Sequence, residues 1–282
     1  MKRLYELLED IRDMLTEKFI PNYSLNNVYK AVIYAIVYAA LRRTHNNYEL
    51  LKPLKQKIPL PILAAAKRKL VNKFYIMLNS IDSLITSERP TIVEGEANLK
   101  HVVEAIKYEI KNVDYVLAYD CMSIIEQLVI SAFLRTKGLR SMFLSKVFLN
   151  PIGLTRFATQ QLYSTGYRTT LSGVAQYIAH KLKASLYRKS SYIDVKVHEV
   201  GSIGIGTFVD EMPISTIAYE VLEKAWRGRT LVFSDHGYDI VISPKKDYLY
   251  ITHGFKRANT SGGTPLLLLS RITFFIGIYR AR

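Results

Sequence analysis

A short apolar segment that ends in an Asp-His pair is the feature that most restricts the fold. Thr230–Phe233 has the composition of a buried β-strand, and Asp235 and His236 follow it almost directly. A second segment of this kind, Tyr115–Tyr119, leads straight into Asp120. Open α/β sheets carry their functional groups at the carboxyl ends of the strands. The two segments therefore predict carboxylates and an imidazole at one sheet edge, where they could bind a divalent metal such as zinc.

From residue 112 onward, the sequence alternates between the patterns of strands and helices. Further strands are predicted over 141–149, 192–198, 203–209, 238–242 and 248–252, and helices over 123–137, 156–163, 167–190 and 215–226. This alternation is typical of an α/β sheet flanked by helices. The strand over 203–209 would end on Asp210, and the last strand of a hairpin would carry His253. Both side chains are therefore predicted at the same edge as Asp120.

Residues 1–111 have a different pattern and are predicted to form a helical N-terminal region. Helices are predicted from residue 4 to a break at Pro21, over 26–43, from Pro59 to about 80, and over 97–111, with a loop at 87–90. The helix over 26–43 is apolar around most of its circumference, which predicts burial between neighbours. The predicted organisation is thus a helical region, 1–111, followed by an α/β domain, 112–282.

The composition restricts the kind of metal site and the cellular environment. Hydrophobic residues make up 49% of the 282 residues, enough for a sizeable core, and Cys121 is the single cysteine. One cysteine excludes an intramolecular disulfide and a Cys-rich zinc module, so a metal would have to be held by Asp, Glu and His. The charged amphipathic N-terminus is unlike a signal peptide, and no apolar run is long enough to span a bilayer. These features predict a cytoplasmic protein without a membrane partner.

The formal net charge of +15 predicts a polyanionic partner, and nucleic acid in particular. Lysine-rich surfaces are also common in proteins of thermophiles, and this second interpretation of the charge remains open. The predicted helical stretch over 167–190 is the most basic part of the chain. The residues predicted to line a nucleic-acid surface near the site are Arg168, Lys181, Lys183, Arg188 and Lys189.

The predicted strand ends together have the composition of a binuclear metal site. The candidate ligands are Asp120, Asp210, Asp235, His236 and His253. Two metals about 4 Å apart can polarise a phosphoryl oxygen, activate a nucleophile and stabilise the leaving oxygen. Thr155 follows a Pro-Ile-Gly-Leu turn at the start of a predicted helix, where backbone N–H groups favour an anion. Its hydroxyl is the candidate nucleophile.

The order of these residues resembles the alkaline phosphatase superfamily and, more narrowly, the PglZ domain. Residues 116–123 are similar to the family's apolar strand followed by Asp-Gly-Leu-Ser. Residues 150–155, followed by 164–166, are similar to its proline-threonine nucleophile turn and its Leu-Thr-Gly segment. Residues 233–237 are similar to its Ser-Asp-His-Gly segment. The resemblance covers about residues 112–282 and implies a mostly parallel, alkaline-phosphatase-like sheet flanked by helices.

The resemblance also implies an activity and a role for each residue. One metal would be held by Asp120, Thr155, Asp235 and His236, with Thr155 as nucleophile, and another by Asp210 and His253. The cofactor would be one or two ions of zinc or manganese. The implied activity is hydrolysis of a phosphoester, preferably a diester in nucleic acid or a nucleotide, in a prokaryotic defence-type system that includes protein partners.

Two departures from the family pattern keep other functions open. The family has a His four residues after the Asp that matches Asp210, whereas this chain has Ile214 there, and Cys121 replaces the usual Gly. An alternative is therefore a catalytically inactive PglZ-like scaffold or a nucleic-acid-binding module. Structural roles are also open, because Asp and Thr residues at these positions could cap helices. Cys121 is expected to be a small buried residue and His198 to be structural.

Overall fold

The structure is a computed structural model that describes residues 2–44, 47–87, 99–110, 112–163, 165–245, 247–254 and 262–280. It is a mixed α/β protein in which helices flank a mixed sheet, so the predicted α/β class is confirmed, whereas the alkaline-phosphatase-like, mostly parallel arrangement stays a prediction. Parts of the predicted loop at 87–90, both ends of the predicted helix over 97–111, and Ser164 of the family-like segment lie outside the described residues. None of the described helices has the length and apolarity needed to cross a bilayer.

The N-terminal region is helical, as its periodicity predicts. Its α-helices are α1 (Lys2–Met14), α2 (Leu25–Thr44), α3 (Lys52–Lys55), α4 (Leu60–Lys69), α5 (Val71–Ser87) and α6 (Leu99–Glu109). A π-helical turn, Leu15–Phe19, extends α1, and a 3-10 turn, Tyr48–Leu51, precedes α3. The predicted third helix is in fact two, divided at Leu70. Most of α2 is buried, in keeping with its apolar circumference.

The remainder of the chain alternates between strands and helices. Its strands are β1 (Tyr115–Tyr119), β2 (Leu139–Leu149), β3 (Leu186–Ser190), β4 (Thr230–Phe233), β5 (Asp239–Ile242), β6 (Leu249–Thr252), β7 (Thr264–Leu268) and β8 (Ile272–Arg280). Its helices are α7 (Ile124–Thr136), α8 (Thr155–Gln160), α9 (Leu171–Leu182), α10 (Tyr192–Glu199), α11 (Ile205–Glu211) and α12 (Ile214–Arg227). A 3-10 turn, Leu269–Arg271, joins the last two strands.

The main sheet places the ends of β1 and β4 side by side. Its strand order is β2-β8-β4-β1-β3, with β1 parallel to both β3 and β4 and with β8 antiparallel to its two neighbours. Four of these five strands therefore run in the same direction. In the register, Ala118 lies opposite Phe233, so both strands reach the same edge within one or two residues. A second sheet, β6-β5-β7, is antiparallel and contains the predicted hairpin.

Three predicted segments have the wrong secondary structure. The segments predicted as strands, 192–198 and 203–209, form α10 and α11, and the end of the predicted helix over 167–190 is strand β3. In α10, Ile193 and Val197 are buried while Val195 is 42% exposed. The alternation of these three residues suggested a period of two, but packing buries only the pair that is one helical turn apart. Tertiary contacts thus override a weak local preference.

Helices cover both faces of the main sheet. Leu117 and Tyr119 face a core that also contains α1, α2, α4, α5, α7 and α12. The alternate residues Val116 and Ala118 face a second core with α6, α8 and α9. The N-terminal helices therefore share one continuous core with the α/β part, because α2 packs directly against α7 and α12. The sheet edge that carries Asp120 is supported from both sides.

Candidate metal centre

The structure brings Asp120, Asp235 and His236 together in a first cluster. Asp120 directly follows β1, whereas Asp235 and His236 follow the neighbouring strand β4. His236 Nε2 lies 3.5 Å from Asp120 Oδ1 and 3.9 Å from Asp235 Oδ2. One ligand atom from each of the three residues lies within 4.8 Å of the others. The parallel pairing of two buried strands is what places the three side chains around one point.

Thr155 lies beside this first cluster, at the first residue of α8. Its Oγ1 is 3.2 Å from His236 Nε2. Asn150 fixes the approach of this loop, because its Nδ2 donates to the carbonyl oxygens of Leu154 and Asp235, both at 2.9 Å. One buried side chain thereby connects the turn that carries Thr155 to the loop that carries Asp235.

The electrostatics of the first cluster favour a cation. Asp235 is 1% exposed, and neither of its carboxylate oxygens has a hydrogen-bond partner among the described residues. Burial raises the pKa of Asp235 and Asp120 adds to the rise, whereas His236 and the neighbouring Thr155 hydroxyl, which lies outside hydrogen-bond geometry, oppose it. Burial lowers the pKa of His236, but Asp235 and the Gly237 carbonyl outweigh it and the net shift is upward. A buried carboxylate without donors is the environment that a bound metal ion would satisfy.

A second cluster adjoins the first and consists of Asp194, His198 and His253. Asp194 and His198 are one turn apart on α10, and His253 directly follows β6. His253 Nε2 is 3.1 Å from His198 Nε2 and 3.6 Å from Asp194 Oδ1. His198 Nε2 is 3.4 Å from the same oxygen of Asp194. A carboxylate and two imidazoles at these separations form a typical ligand set for zinc.

Two contacts join the clusters into one centre. The rings of His236 and His253 stack with their centroids 5.1 Å apart and their planes 23° apart. Cys121 Sγ lies 3.3 Å from Asp194 Oδ1 and 3.6 Å from His236 Nδ1. Burial raises the pKa of the Cys121 thiol well above its usual value, and Asp120 raises it further. The centre as a whole thus contains buried His, Cys and Asp groups that could hold a metal ion.

Asp210 is a candidate ligand that the structure does not bring to the centre. The strand predicted to deliver it is helix α11, and its carboxylate forms ion pairs with Lys30 and Lys57. Burial raises the pKa of Asp210, but its hydrogen bonds to these lysines outweigh that effect and the net shift is downward. Ile214, the position where the family pattern would require a His, is fully buried at the start of α12.

Asp194 and His198 are functional candidates that the sequence interpretation missed. Their spacing, Asp-x-x-x-His, is the one that the family pattern has at the second metal. The sequence-based prediction instead matches the Asp of that pattern to Asp210. Residues four apart lie on one face of a helix, so this spacing was a usable signal. It was lost because the segment was interpreted as a strand and His198 as structural.

Glu126 stabilises the loop that carries Asp120 through buried hydrogen bonds. It accepts hydrogen bonds from the hydroxyls of Tyr29 and Tyr238, at 2.8 and 2.7 Å. Its other oxygen accepts from the N–H and the hydroxyl of Ser123, at 2.9 and 2.6 Å. Ser123 caps α7 in a capping box with Glu126. Because Tyr238 lies two residues after His236, Glu126 connects both loops of the first cluster to helix α2.

The predicted basic surface is divided among different environments. Lys189 Nζ lies 3.0 Å from Asp120 Oδ2 and so borders the first cluster. Arg188, on the opposite face of β3, is paired with Glu220 at 2.9 Å. The other three predicted residues, Arg168, Lys181 and Lys183, are exposed around helix α9. A role for these residues in nucleic-acid binding stays a prediction, and Lys189 is the member placed at the candidate centre.

Comparisons with protein families and with curated proteins identify no relative of this chain. No model of a known protein family matches the chain, and no curated protein matches it. The resemblance to the PglZ domain therefore rests on the sequence segments described above.

Proposed function

We propose that this protein is a metal-dependent phosphoester hydrolase of the PglZ-like kind, with a binuclear centre that holds zinc or manganese. The observation that supports this proposal best is the pair of adjoining three-residue clusters beside the hydroxyl of Thr155. Two neighbouring divalent metals serve phosphoryl transfer in many enzymes. The position of a hydroxyl next to such a centre favours a reaction in which the protein itself provides the nucleophile.

The ligands divide between two metal positions. Asp120, Asp235 and His236 would hold the first metal. The second would be held by Asp194, His198 and His253, which replaces the assignment based on Asp210. The buried and unpartnered oxygens of Asp235 support this fit, because such a carboxylate is costly unless a cation neutralises it. Bound metals would supply charge stabilisation for the phosphoryl oxygens and a lower pKa for a coordinated hydroxyl.

Thr155 is proposed as the nucleophile. Its Oγ1, after losing its proton to solvent, would attack phosphorus in line with the leaving oxygen. The bond to the leaving alcohol would break and that oxygen would take a proton from solvent. Water would then hydrolyse the phosphothreonyl ester, which restores the threonine hydroxyl and releases the phosphate product. The turn is fixed by Asn150, which holds the hydroxyl within 3.2 Å of His236 Nε2. Such fixed placement lowers the barrier by orienting the reacting groups in advance.

The preference for a phosphodiester in nucleic acid or a nucleotide rests on charge. The net charge of +15 favours the approach of a polyanion. Lys189, whose Nζ lies beside Asp120, is positioned to contact a phosphate that enters the centre. A protein partner in a defence-type complex belongs to the same proposal and follows from the sequence resemblance.

The alternative of an inactive scaffold loses its main argument. It was favoured by the missing His four residues after Asp210. Asp194 and His198 have the required spacing and lie next to His253, so a full ligand set is available for the second metal. We therefore favour the enzyme over the scaffold.

The test is hydrolysis of an aryl phosphodiester by the purified protein across a series of divalent metals. Activity in the parent should depend on zinc or manganese and be abolished by a chelator. Thr155→Ala should lower the rate at least about a thousand-fold, because the attacking hydroxyl is removed while the metal ligands stay in place. Thr155→Ser, which keeps a hydroxyl, should retain much more activity.

Matched controls come from the carboxylates. Asp235→Asn and Asp194→Asn should each abolish activity. Asp210→Asn should not, because Asp210 lies on α11 and is paired with Lys30 and Lys57. Undiminished activity in Thr155→Ala would refute its role as nucleophile. A folded parent that hydrolyses no phosphoester with any metal would contradict the enzyme proposal and favour the inactive scaffold.

A further inference from the structure

The backbone at Cys121 has a conformation that normally favours glycine. Its φ is +63°, in the left-handed region, where a residue with a Cβ is uncommon and strained. The side chain is fully buried, directly after Asp120 and between the two clusters. A glycine would fit this backbone without strain. The presence of a cysteine therefore calls for a role of its sulfur.

The sulfur lies at the distance that separates ligands of a common metal. Zinc ligands at about 2.0–2.3 Å in a tetrahedral arrangement are roughly 3.3–3.8 Å from one another. Cys121 Sγ is 3.3 Å from Asp194 Oδ1. Sγ also lies within 4.8 Å of ligand atoms of His236 and His253, and, in another grouping, of Asp120 and Asp194. The thiol is thus at coordinating range of groups from both clusters.

Two contacts of His236 assign the sulfur to one of the clusters. His236 Nε2 faces Asp120 and Thr155, while its Nδ1 lies 2.9 Å from the carbonyl oxygen of Gly237. The ring nitrogen nearest to Cys121 is thus engaged by the backbone. The open approach for the sulfur is toward Asp194, the carboxylate of the second cluster.

The first cluster, which adjoins the sulfur through His236, is suited to a cation. Asp235 is buried, and both of its carboxylate oxygens lack a hydrogen-bond partner among the described residues. A neutral thiol is too weak a donor to balance a carboxylate, whereas a metal ion would do so and would deprotonate the thiol on binding.

We propose that Cys121 Sγ is the fourth protein ligand of the second metal, together with Asp194, His198 and His253. This inference rests on the metal centre of the proposed function. A thiolate, a carboxylate and two imidazoles are all ligands that zinc accepts, and zinc can expand from four to five ligands when a substrate oxygen binds. Thiolate ligation selects zinc over manganese or magnesium, because the softer sulfur ligand suits zinc. Cys121 therefore determines which metal the centre retains.

The test uses cobalt as a spectroscopic substitute for zinc. Cobalt(II) bound to a thiolate has a charge-transfer absorption in the near ultraviolet that oxygen and nitrogen ligands do not give. The parent loaded with cobalt should show this band, and Cys121→Ser and Cys121→Gly should lack it. Zinc affinity at one of the two positions should fall at least about tenfold in both variants, with little change in manganese affinity.

Cys121→Gly guards against misfolding, because glycine adopts a φ of +63° without strain and should leave the fold intact. A parent that binds cobalt without the band, and variants that keep full zinc affinity, would overturn the role of Cys121 and leave the metal centre standing. A folded parent that binds neither cobalt nor zinc would overturn both proposals.

Discussion

Two fully buried carboxylates in the same part of the molecule, Glu126 and Asp235, have opposite surroundings. Glu126 accepts four hydrogen bonds, two from tyrosines and two from Ser123. Asp235 accepts none from the described residues. Burial raises the pKa of both groups; hydrogen bonds from Ser123 and the two tyrosines oppose the rise at Glu126, whereas the charge of His236 is the main opposing cause at Asp235. The protein supplies hydrogen-bond donors to one carboxylate and, among the described residues, none to the other.

Under the proposed function, this difference separates a structural group from a metal ligand. A satisfied buried carboxylate ties elements together, and Glu126 does so between helix α2, the loop after β1 and the loop after β4. A buried carboxylate without donors destabilises the metal-free protein and strengthens binding of a cation. Asp239 is intermediate, because one oxygen accepts from the N–H of Ser270 at 3.0 Å and the other has no partner among the described residues.

The largest expected effect is on stability at Glu126. Glu126→Ala should lower the free energy of unfolding by about 3 kcal/mol or more, because it leaves the donors of Tyr29, Tyr238 and Ser123 buried without an acceptor. Urea unfolding measures this change. The exposed Glu223 offers a control, for which Glu223→Ala should change stability by less than about 0.5 kcal/mol. If Glu126→Ala lowers the free energy of unfolding by less than about 1 kcal/mol, the structural role of Glu126 is contradicted.

A metal should stabilise the protein through Asp235. At a zinc concentration about 100 times its dissociation constant, a single site adds roughly 2.7 kcal/mol to the free energy of unfolding. Asp235→Asn should lose most of this gain, whereas Asp210→Asn should keep it. Thermal unfolding with and without zinc measures the difference. Equal stabilisation of both variants would show that the unpartnered carboxylate is not what binds the ion.

The smallest expected effect is a pH dependence due to Asp239. Burial raises the pKa of Asp239 from 3.8 to about 6. Its protonation therefore stabilises the folded state below pH 4, and this contribution is lost as the pH rises through 6. Between pH 5 and pH 7, the metal-free protein should lose about 1 kcal/mol that Asp239→Asn does not lose. Parallel pH profiles for parent and variant would contradict the assignment.

The sequence by itself determined the first cluster and the fold class. Strands β1 and β4 are short and mainly apolar; Asp120 follows β1 directly, and Asp235 and His236 follow β4 after a single serine. Parallel strands in one sheet end at the same edge, so local pattern was enough to predict that these side chains meet. Helices α7 and α12 were predictable from their continuous apolar periodicity, and α2 from a long segment that is apolar around most of its circumference.

Tertiary structure alone decided the second cluster and its connection to the first. In α10 the apolar residues fit a strand as well as a helix over so few positions, and burial of Ile193 and Val197 chose the helix. That choice turns Asp194 and His198 toward His253, which comes from a different sheet. Asp210 is absent from the centre for a similar reason. Its segment forms helix α11, which directs the carboxylate to Lys30 and Lys57. Contacts between distant elements depend on packing, which no local pattern encodes.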